Sequence, residues 1–391
     1  MSGTRPIGAA PPLLKRLNEQ TVLELVRDLA PVSRAEISRR AGISKPTVSL
    51  ALRSLVDAGL VRESSEAPSG PSYGAVYFEP VPEAALVLGL DLGARFLRGA
   101  ICDLSGTIRA RQDVELEGAD AERALDAVAE LRDALVAATG LPEDLIDGVV
   151  VGVPGVTGAA DGTLRLAANV PGLEGRPFEA ELEERLGLPI TLQNDINLAA
   201  LGERELGVAR GVDDFVFLSV GTGMGAGVVL RGELHTGRHG FAGEIDFALD
   251  PLDEDVDPAA PQIMELAARV ADGHEGTSLS PPFDARSVFD AARQGDEAAQ
   301  HVVAEVGRRI ALHLAPVSAV LDVELVVLGG GIGSNGDLLL EPVRQLLAAW
   351  LPFPPQVEVS TVGEAAVLTG ALSVGVRAAR RFPLGSRAES R

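Results

Sequence analysis

The chain's densest run of chemically useful side chains is short. A helix opening at Ser44 would project Ser44, Lys45, Thr47, Ser49 and Arg53 outward, with Arg39 and Arg40 beside it on the preceding helix. Small hydroxyls with a lysine and an arginine are the groups that contact phosphate oxygens and base edges in a DNA major groove. The plainer reading of the same residues is a three-helix bundle with a solvated charged face. Charge separates the two readings. The 391-residue chain has 34 Lys and Arg against 56 Asp and Glu, a formal charge of −22, which argues against a chain that is a nucleic-acid binder throughout. Residues 13–62 hold nine basic and five acidic side chains, a net +4, leaving −26 for the remainder. Both lysines of the protein, Lys15 and Lys45, lie in that segment. A small basic module precedes a large acidic one, and DNA is the expected partner of the first.

The elements that must position these residues follow from spacing. Leu14, Leu17, Val22, Leu25, Val26 and Leu29 fall on one side of a helix over about 14–30, which Pro31 stops. Ser33 opens a second helix, with Glu36 three residues on as a capping box. Ala41-Gly42-Ile43 breaks it. Ser44 caps a third helix with Pro46 in its first turn, and Gly59 ends it. Two weak strand signals, Leu60-Val61 and Ala75–Phe78, flank the Gly/Ser/Pro-rich stretch Ser64–Gly74 and predict a wing. That stretch holds no Lys or Arg, so specificity should rest on the third helix. Pro80-Val81-Pro82 reads as a stiff linker.

From residue 84 the pattern changes to alternating strands and helices. Ala85–Leu90, Gly99–Cys102 and Val149–Val153 read as strands around a helix over about 120–138. The scheme repeats in Phe215–Val220, Gly225–Leu230, helices over 261–272 and 284–320, and Leu325–Leu328. Two α/β halves, each opening with a hydrophobic strand into a glycine turn, predict two lobes around a cleft. At 46% hydrophobic and 23% charged, the chain can bury a large core. A single cysteine, Cys102, excludes an intramolecular disulfide and a cysteine-rich zinc ribbon. No apolar run is long enough for a membrane helix and the N-terminus lacks a signal-peptide stretch, so a cytoplasmic protein is expected.

Ser33–Ser49 resembles the helix-turn-helix of the ROK family of repressors and sugar kinases. The body agrees in order: Gly152-Val-Pro-Gly155, Asn169-Val-Pro-Gly172, Gln193-Asn-Asp195-Ile-Asn197, Gly221-Thr-Gly-Met-Gly-Ala-Gly227, Ala242-Gly-Glu-Ile245 and Gly329-Gly-Gly331 are all similar to ROK sugar and nucleotide motifs. The resemblance, over about residues 13–380, implies a winged helix fused to an actin-like, hexokinase-like (ribonuclease H-like) α/β body with sugar in the cleft. The expected divisions are a disordered tail at 1–12, a winged helix-turn-helix at 13–80, lobe 1 at 84–200, lobe 2 at 201–363, a helix at about 364–381 packing back on lobe 1, and a tail at 382–391. By the same resemblance Asp195 matches the family's general base, and Asn169, Asn194 and Glu244 match sugar-contacting positions. For the asparagines, turn capping is the plainer reading.

Two departures matter. The family's Asp-x-Gly-Gly-Thr phosphate turn is here Asp91-Leu92-Gly93-Ala94-Arg95, which adds a Cβ and replaces the hydroxyl. The second turn, Gly221-Thr222-Gly223, keeps its glycines; it is either an anion cradle or a tight hairpin. Asp91, Gly93, Gly221, Thr222 and Gly223 are thus expected to form a vestigial nucleotide site, with ATP and Mg²⁺ not among the cofactors. Second, Phe247 takes the place of the usual histidine and no cysteine follows Cys102, so no Cys/His zinc site is expected. His239 reads as a surface loop residue and the acidic run 250–257 as a solvated loop. The expected function is a sugar-responsive DNA-binding repressor of carbohydrate genes, a homodimer or tetramer without kinase activity; the alternative is an ATP-dependent sugar kinase carrying a DNA-binding domain.

Overall fold

Helix α1 (Pro11–Leu29) opens the computed structural model, which describes residues 11–65, 75–116, 118, 120–157, 162–167, 170–249 and 256–381. It starts three residues before the apolar periodicity does; prolines fit a first turn, where their missing N–H groups have no intrahelical acceptor. Of the expected tails at 1–12 and 382–391, Pro11 and Pro12 instead belong to α1, and the rest lies outside the described residues. A short strand absent from the sequence reading, β1 (Val32–Ser33), leads into α2 (Arg34–Ala41) and α3 (Lys45–Asp57). Ser33 and Ser44 cap these helices as expected, accepting from the Glu36 and Thr47 amides at 3.3 Å each. The capping box is only half made, because Arg39 and Arg40 take the Glu36 carboxylate. Gly42 turns the chain between α2 and α3 at φ 65°, in the left-handed region that costs a glycine nothing.

Strands β2 (Val61–Glu63) and β3 (Tyr77–Pro80) form the wing with β1, in the order β1-β3-β2. The tip of the wing, 66–74, lies outside the described residues. The linker is pinned on both sides: the Val81 amide donates to the Leu60 carbonyl at 3.0 Å, and the Pro82 carbonyl accepts from the Leu104 amide at 3.0 Å.

The first lobe follows as β4 (Leu86–Leu92), β5 (Phe96–Asp103), β6 (Ile108–Glu115), α4 (Ala121–Thr139), β7 (Ile146–Val153), β8 (Val156–Thr157), β9 (Leu164–Arg165), α5 (Phe178–Leu186), β10 (Ile190–Asn194) and α6 (Asp195–Leu206). The second is β11 (Phe215–Val220), β12 (Met224–Leu230), β13 (Glu233–Leu234), α7 (Asp246–Leu249), α8 (Ala260–Ala271), α9 (Ala285–Arg293), α10 (Glu297–Leu321), β14 (Leu325–Gly329), α11 (Gly330–Gly333), α12 (Gly336–Trp350) and β15 (Gln356–Val359). The single helix expected over 284–320 is two. Gly295, at φ 91°, breaks it, and the Asp296 carboxylate caps the second piece by accepting from the Ala299 amide at 3.0 Å. The two sheets, β10-β7-β4-β5-β6 and β13-β12-β11-β14-β15, share one order and one pattern of antiparallel and parallel pairs.

Helix α6 runs through residue 200, so the chain leaves the first lobe after Leu206 rather than inside the helix. It packs on both sheets, with Ala199 and Ala200 in a cluster with Phe215 and Phe217, and Leu198 and Leu201 in one with Val150. The last helix, α13 (Ala366–Arg381), crosses α6 closely: a Cβ at Gly370 would overlap the Leu198 carbonyl, and one at Gly202 the Ala366 carbonyl. Its other face lies on the first sheet, where Leu368, Leu372 and Val376 join Val87, Ala100 and Cys102. That cluster continues without a break into Val22, Val26, Ile37, Leu52 and Phe78 of the winged module. The winged module and the first lobe therefore share one apolar core.

Candidate functional site

The first site is the outward surface of α3. Val48, Ala51, Leu52 and Leu55 face the core, and Lys45 and Arg53 are exposed. Three expected contacts meet local needs: Ser44 Oγ and Thr47 Oγ1 bond each other at 2.8 Å, and Ser49 Oγ donates to the Lys45 carbonyl at 2.9 Å. Arg39 and Arg40 are exposed but share Glu36, with Arg40 Nε 3.0 Å from it. In the wing, Glu79 holds Arg62 at 2.7 Å. Lys45 and Arg53 are thus the basic groups of α3 with their charge directed to solvent.

The second site is the N-terminus of α6, where the parallel strand β10 runs straight into the helix. Asn194 is its cap: Oδ1 accepts from the Asn197 amide and Nδ2 donates to the Gly155 carbonyl, each at 3.0 Å. The structure thus gives Asn194 the capping role, with one amide hydrogen and one lone pair left over. Asp195 is the first helical residue, and its Oδ1 accepts from the Ile196 amide at 2.8 Å. Burial, with Asp91 and Glu244 nearby, pushes its carboxyl up to about 7. Glu244 enters from the second lobe. The Gly243 carbonyl accepts from the Ala226 amide of β12 at 2.8 Å, and a Cβ at Gly225 of the same strand would press on the Ile196 side chain of α6. Burial, then Asp246, raises Glu244 to about 7. The half-exposed rings of Phe241 and Phe247 pair at 5.4 Å beside it. Asn169 lies outside the described residues. Asn197, 3% exposed, keeps Oδ1 without a hydrogen-bond partner among the described residues.

The remaining expected residues sit at equivalent places in the two sheets. Gly93 begins the turn joining β4 to β5, its amide donating to the Phe96 carbonyl at 2.9 Å. Gly221, Thr222 and Gly223 make the turn joining β11 to β12, where the Gly221 amide donates to the Gly223 carbonyl at 2.8 Å. This is the tight hairpin, with one of its three N–H groups turned inward. Asp91 is buried at the end of β4, directly across from Arg98 of β5, whose Nη1 lies 3.3 Å from its carboxylate. Burial still raises Asp91 to about 6, against the pull of Arg98. Sequence reasoning missed Arg98, although counting outward from the turn places it opposite Asp91. An ATP phosphate and its Mg²⁺ would meet the Ala94 methyl and an aspartate already paired with Arg98. These residues do not fit the nucleotide well.

Nor does the donor set fit zinc. Phe247 has no ligand atom, and Cys102 is wholly buried in β5, its thiol pushed up to about 12 by burial. His239 is exposed. Two residues of α10 hold the far end of the loop instead. Arg309 Nη1 donates to the Asp257 carbonyl at 2.8 Å, and His313 Nε2 lies 3.2 Å from the Val256 carbonyl. Burial lowers the His313 pKa, against the pull of the Val256 carbonyl. Residues 250–255 of the acidic run lie outside the described residues.

The model of the ROK family matches residues 87–249 and 267–377, and that of the MarR family matches residues 17–69. The xylose repressor of Caldicellulosiruptor bescii is 25% identical over 392 residues, covering 95% of this chain and 98% of the repressor. The glucokinase of Thermotoga maritima is 32% identical over 253 residues, 58% of this chain and 78% of the kinase. The crystal structure of a ROK family transcriptional regulator, a homologue of the E. coli MLC protein, superposes over 95% of this chain and 98% of its own with TM-score 0.77 at 24% identity, and so shares the fold. Matched by the family model over most of its length, the chain belongs to the ROK family.

Proposed function

We propose that this protein is a sugar-responsive DNA-binding transcriptional repressor that has lost kinase activity. The observation that carries the reading is the shared core: the apolar cluster of α1–α3 is continuous with the first sheet and α13, and α13 crosses the helix that bears Asp195. A sugar held by Asp195, Glu244, Asn169 and the free valences of Asn194 would set the lobe angle through α6, and α13 would carry that setting to the winged module. Alternating carboxylate and amide groups suit a polyol, which offers both donors and acceptors. A homodimer would place two α3 helices one DNA turn apart on a palindromic operator. The sugar shifts operator affinity only to the extent that it binds the two lobe arrangements unequally.

The test is a thermal-shift screen against free sugars, sugar phosphates, amino sugars and ATP. Xylose and glucose come first because the relatives are named for their repressor and kinase. A ligand at 100 times its Kd adds about 2.7 kcal/mol, several degrees for a chain this size. A free-sugar hit that then changes binding to a selected operator supports the sensor. Unchanged operator affinity across the panel overturns it.

The kinase reading keeps one supporting observation: a carboxyl near neutrality at Asp195, where a base would take the sugar hydroxyl's proton. A coupled assay with ATP, Mg²⁺ and a hexose panel is expected to show no turnover. Turnover abolished by Asp195→Asn would establish the kinase.

A further inference from the structure

The outward surface of α3 has an apolar centre. Opposite the buried stripe Val48, Ala51, Leu52 and Leu55 stand Pro46, Leu50 and Arg53, at spacings of four and three. Leu50 is 67% exposed, and the residues three and four away from it are exposed Pro46 and Arg53 and half-buried Thr47 and Ser54. Single exposed leucines are ordinary on soluble proteins. This one differs in its place. It stands one turn in from the helix N-terminus, where a helix lying in a major groove meets base edges. The nearby hydroxyls have local partners, since Ser49 donates to the Lys45 carbonyl and Ser44 and Thr47 bond each other. Exposed Asp57, on the same line at the far end of α3, would be repelled by phosphates and keeps that end out of the groove. Leu50 therefore sits in the part of the helix that enters.

A leucine has no hydrogen bond to offer a base. The feature of a base edge that it recognises is the 5-methyl group of thymine, which projects into the major groove from one strand only. We propose that Leu50 is a specificity-determining residue that reads a thymine by packing on its 5-methyl group, while Lys45 and Arg53 hold the helix on the flanking phosphates. Leu50 then reports sequence and the two cations report backbone. The inference rests on the DNA-binding reading above.

The experiment uses the full-length protein and a randomised duplex library to enrich a binding sequence. Each thymine of that sequence is then replaced in turn by deoxyuridine, which removes the methyl and leaves every hydrogen-bonding group in place. One thymine per half-site is expected to lose about fourfold in affinity on replacement, the effect of one buried methyl. Leu50→Ala, a change at an exposed position that leaves the core intact, is expected to bind thymine and deoxyuridine duplexes alike. Indifference of the wild type to every replacement, or full thymine preference in Leu50→Ala, overturns the assignment of Leu50 and leaves DNA binding standing. Failure of the wild type to enrich any sequence overturns DNA recognition and the role of Leu50 with it.

Discussion

The guanidinium of Arg27, in the first helix, donates to the main-chain carbonyl of Arg380, in the last, at 3.1 Å across 353 residues of sequence. Arg380 in turn donates to the Leu104 carbonyl at the β5–β6 turn, with Nε at 3.0 Å and Nη2 at 2.6 Å. Two arginines thus fasten the DNA-reading module to the end of α13 and both to the first lobe. Burial, with Arg380 alongside, lowers Arg27 to about 10, so it remains charged at neutral pH.

Arg27→Met keeps the aliphatic stem and removes the bond. It should lower stability by about 1 kcal/mol and speed amide exchange in α1 and at the end of α13. Hydrogen exchange by mass spectrometry reads both segments. Exchange unchanged in α13 would show that the bond does not couple the two ends.

Asp91, Asp195 and Glu244, at about 6, 7 and 7, all stand above the ordinary carboxylate range. Between about pH 4 and 7 the folded protein therefore holds more protons than the unfolded chain, and this contribution to stability falls as pH rises through that window. Asp195→Asn removes the buried charge and should be more stable than wild type at pH 8 by ~1–2 kcal/mol, with the difference closing towards pH 5. Denaturant titration at the two pH values decides it; a variant less stable at pH 8 shows that the charge is better compensated than this geometry allows.

Glu36 restrains Arg39 and Arg40, whereas Lys45 and Arg53 face solvent. Lys45→Ala should reduce the salt slope of DNA binding by about one, and Arg40→Ala by less. Glu36→Gln, which releases both arginines, should strengthen non-specific binding and steepen the slope. Fluorescence anisotropy on a fixed duplex at several salt concentrations measures all three. Equal losses for Lys45→Ala and Arg40→Ala would mean that the Glu36 pairs open on DNA.

Glu203, fully buried in α6, accepts from Ser360 Oγ and from the amides of Val208 at 3.1 Å and Val362 at 3.0 Å. It ties the lobe-spanning helix to the segment that leads into α13. Glu203→Ala leaves three donors unpaired in the interior and should cost about 3 kcal/mol; Glu203→Gln, which keeps one acceptor, should cost less. Thermal unfolding compares them. Equal losses would point to the charge rather than the bonds.

Much of this protein was legible in its sequence. The caps at Ser33 and Ser44, the left-handed turn at Gly42 and the strands opening each lobe depend on interactions within a few residues, and such interactions are written in local order. The departures at Ala94 and Phe247 are equally local, because an added Cβ and a ring without a ligand atom are read from the residue type alone. What the sequence could not decide depends on contacts between distant segments. Asp296, which caps α10 locally, also accepts from the Ser278 amide at 2.6 Å, a partner eighteen residues away that only the fold supplies. Asn194 became a cap and a tie to Gly155 because strand β10 runs into α6 beside that turn. The raised carboxyls of Asp91, Asp195 and Glu244 required burial by the folded chain, and that of Asp195 also Asp91 and Glu244 brought near it from elsewhere in the sequence. The fusion of the winged module's core with the first lobe came from α13, placed by close packing of Gly202 and Gly370. Hydrophobic burial is non-directional: periodicity shows that a face must be covered, and only the folded chain shows by what.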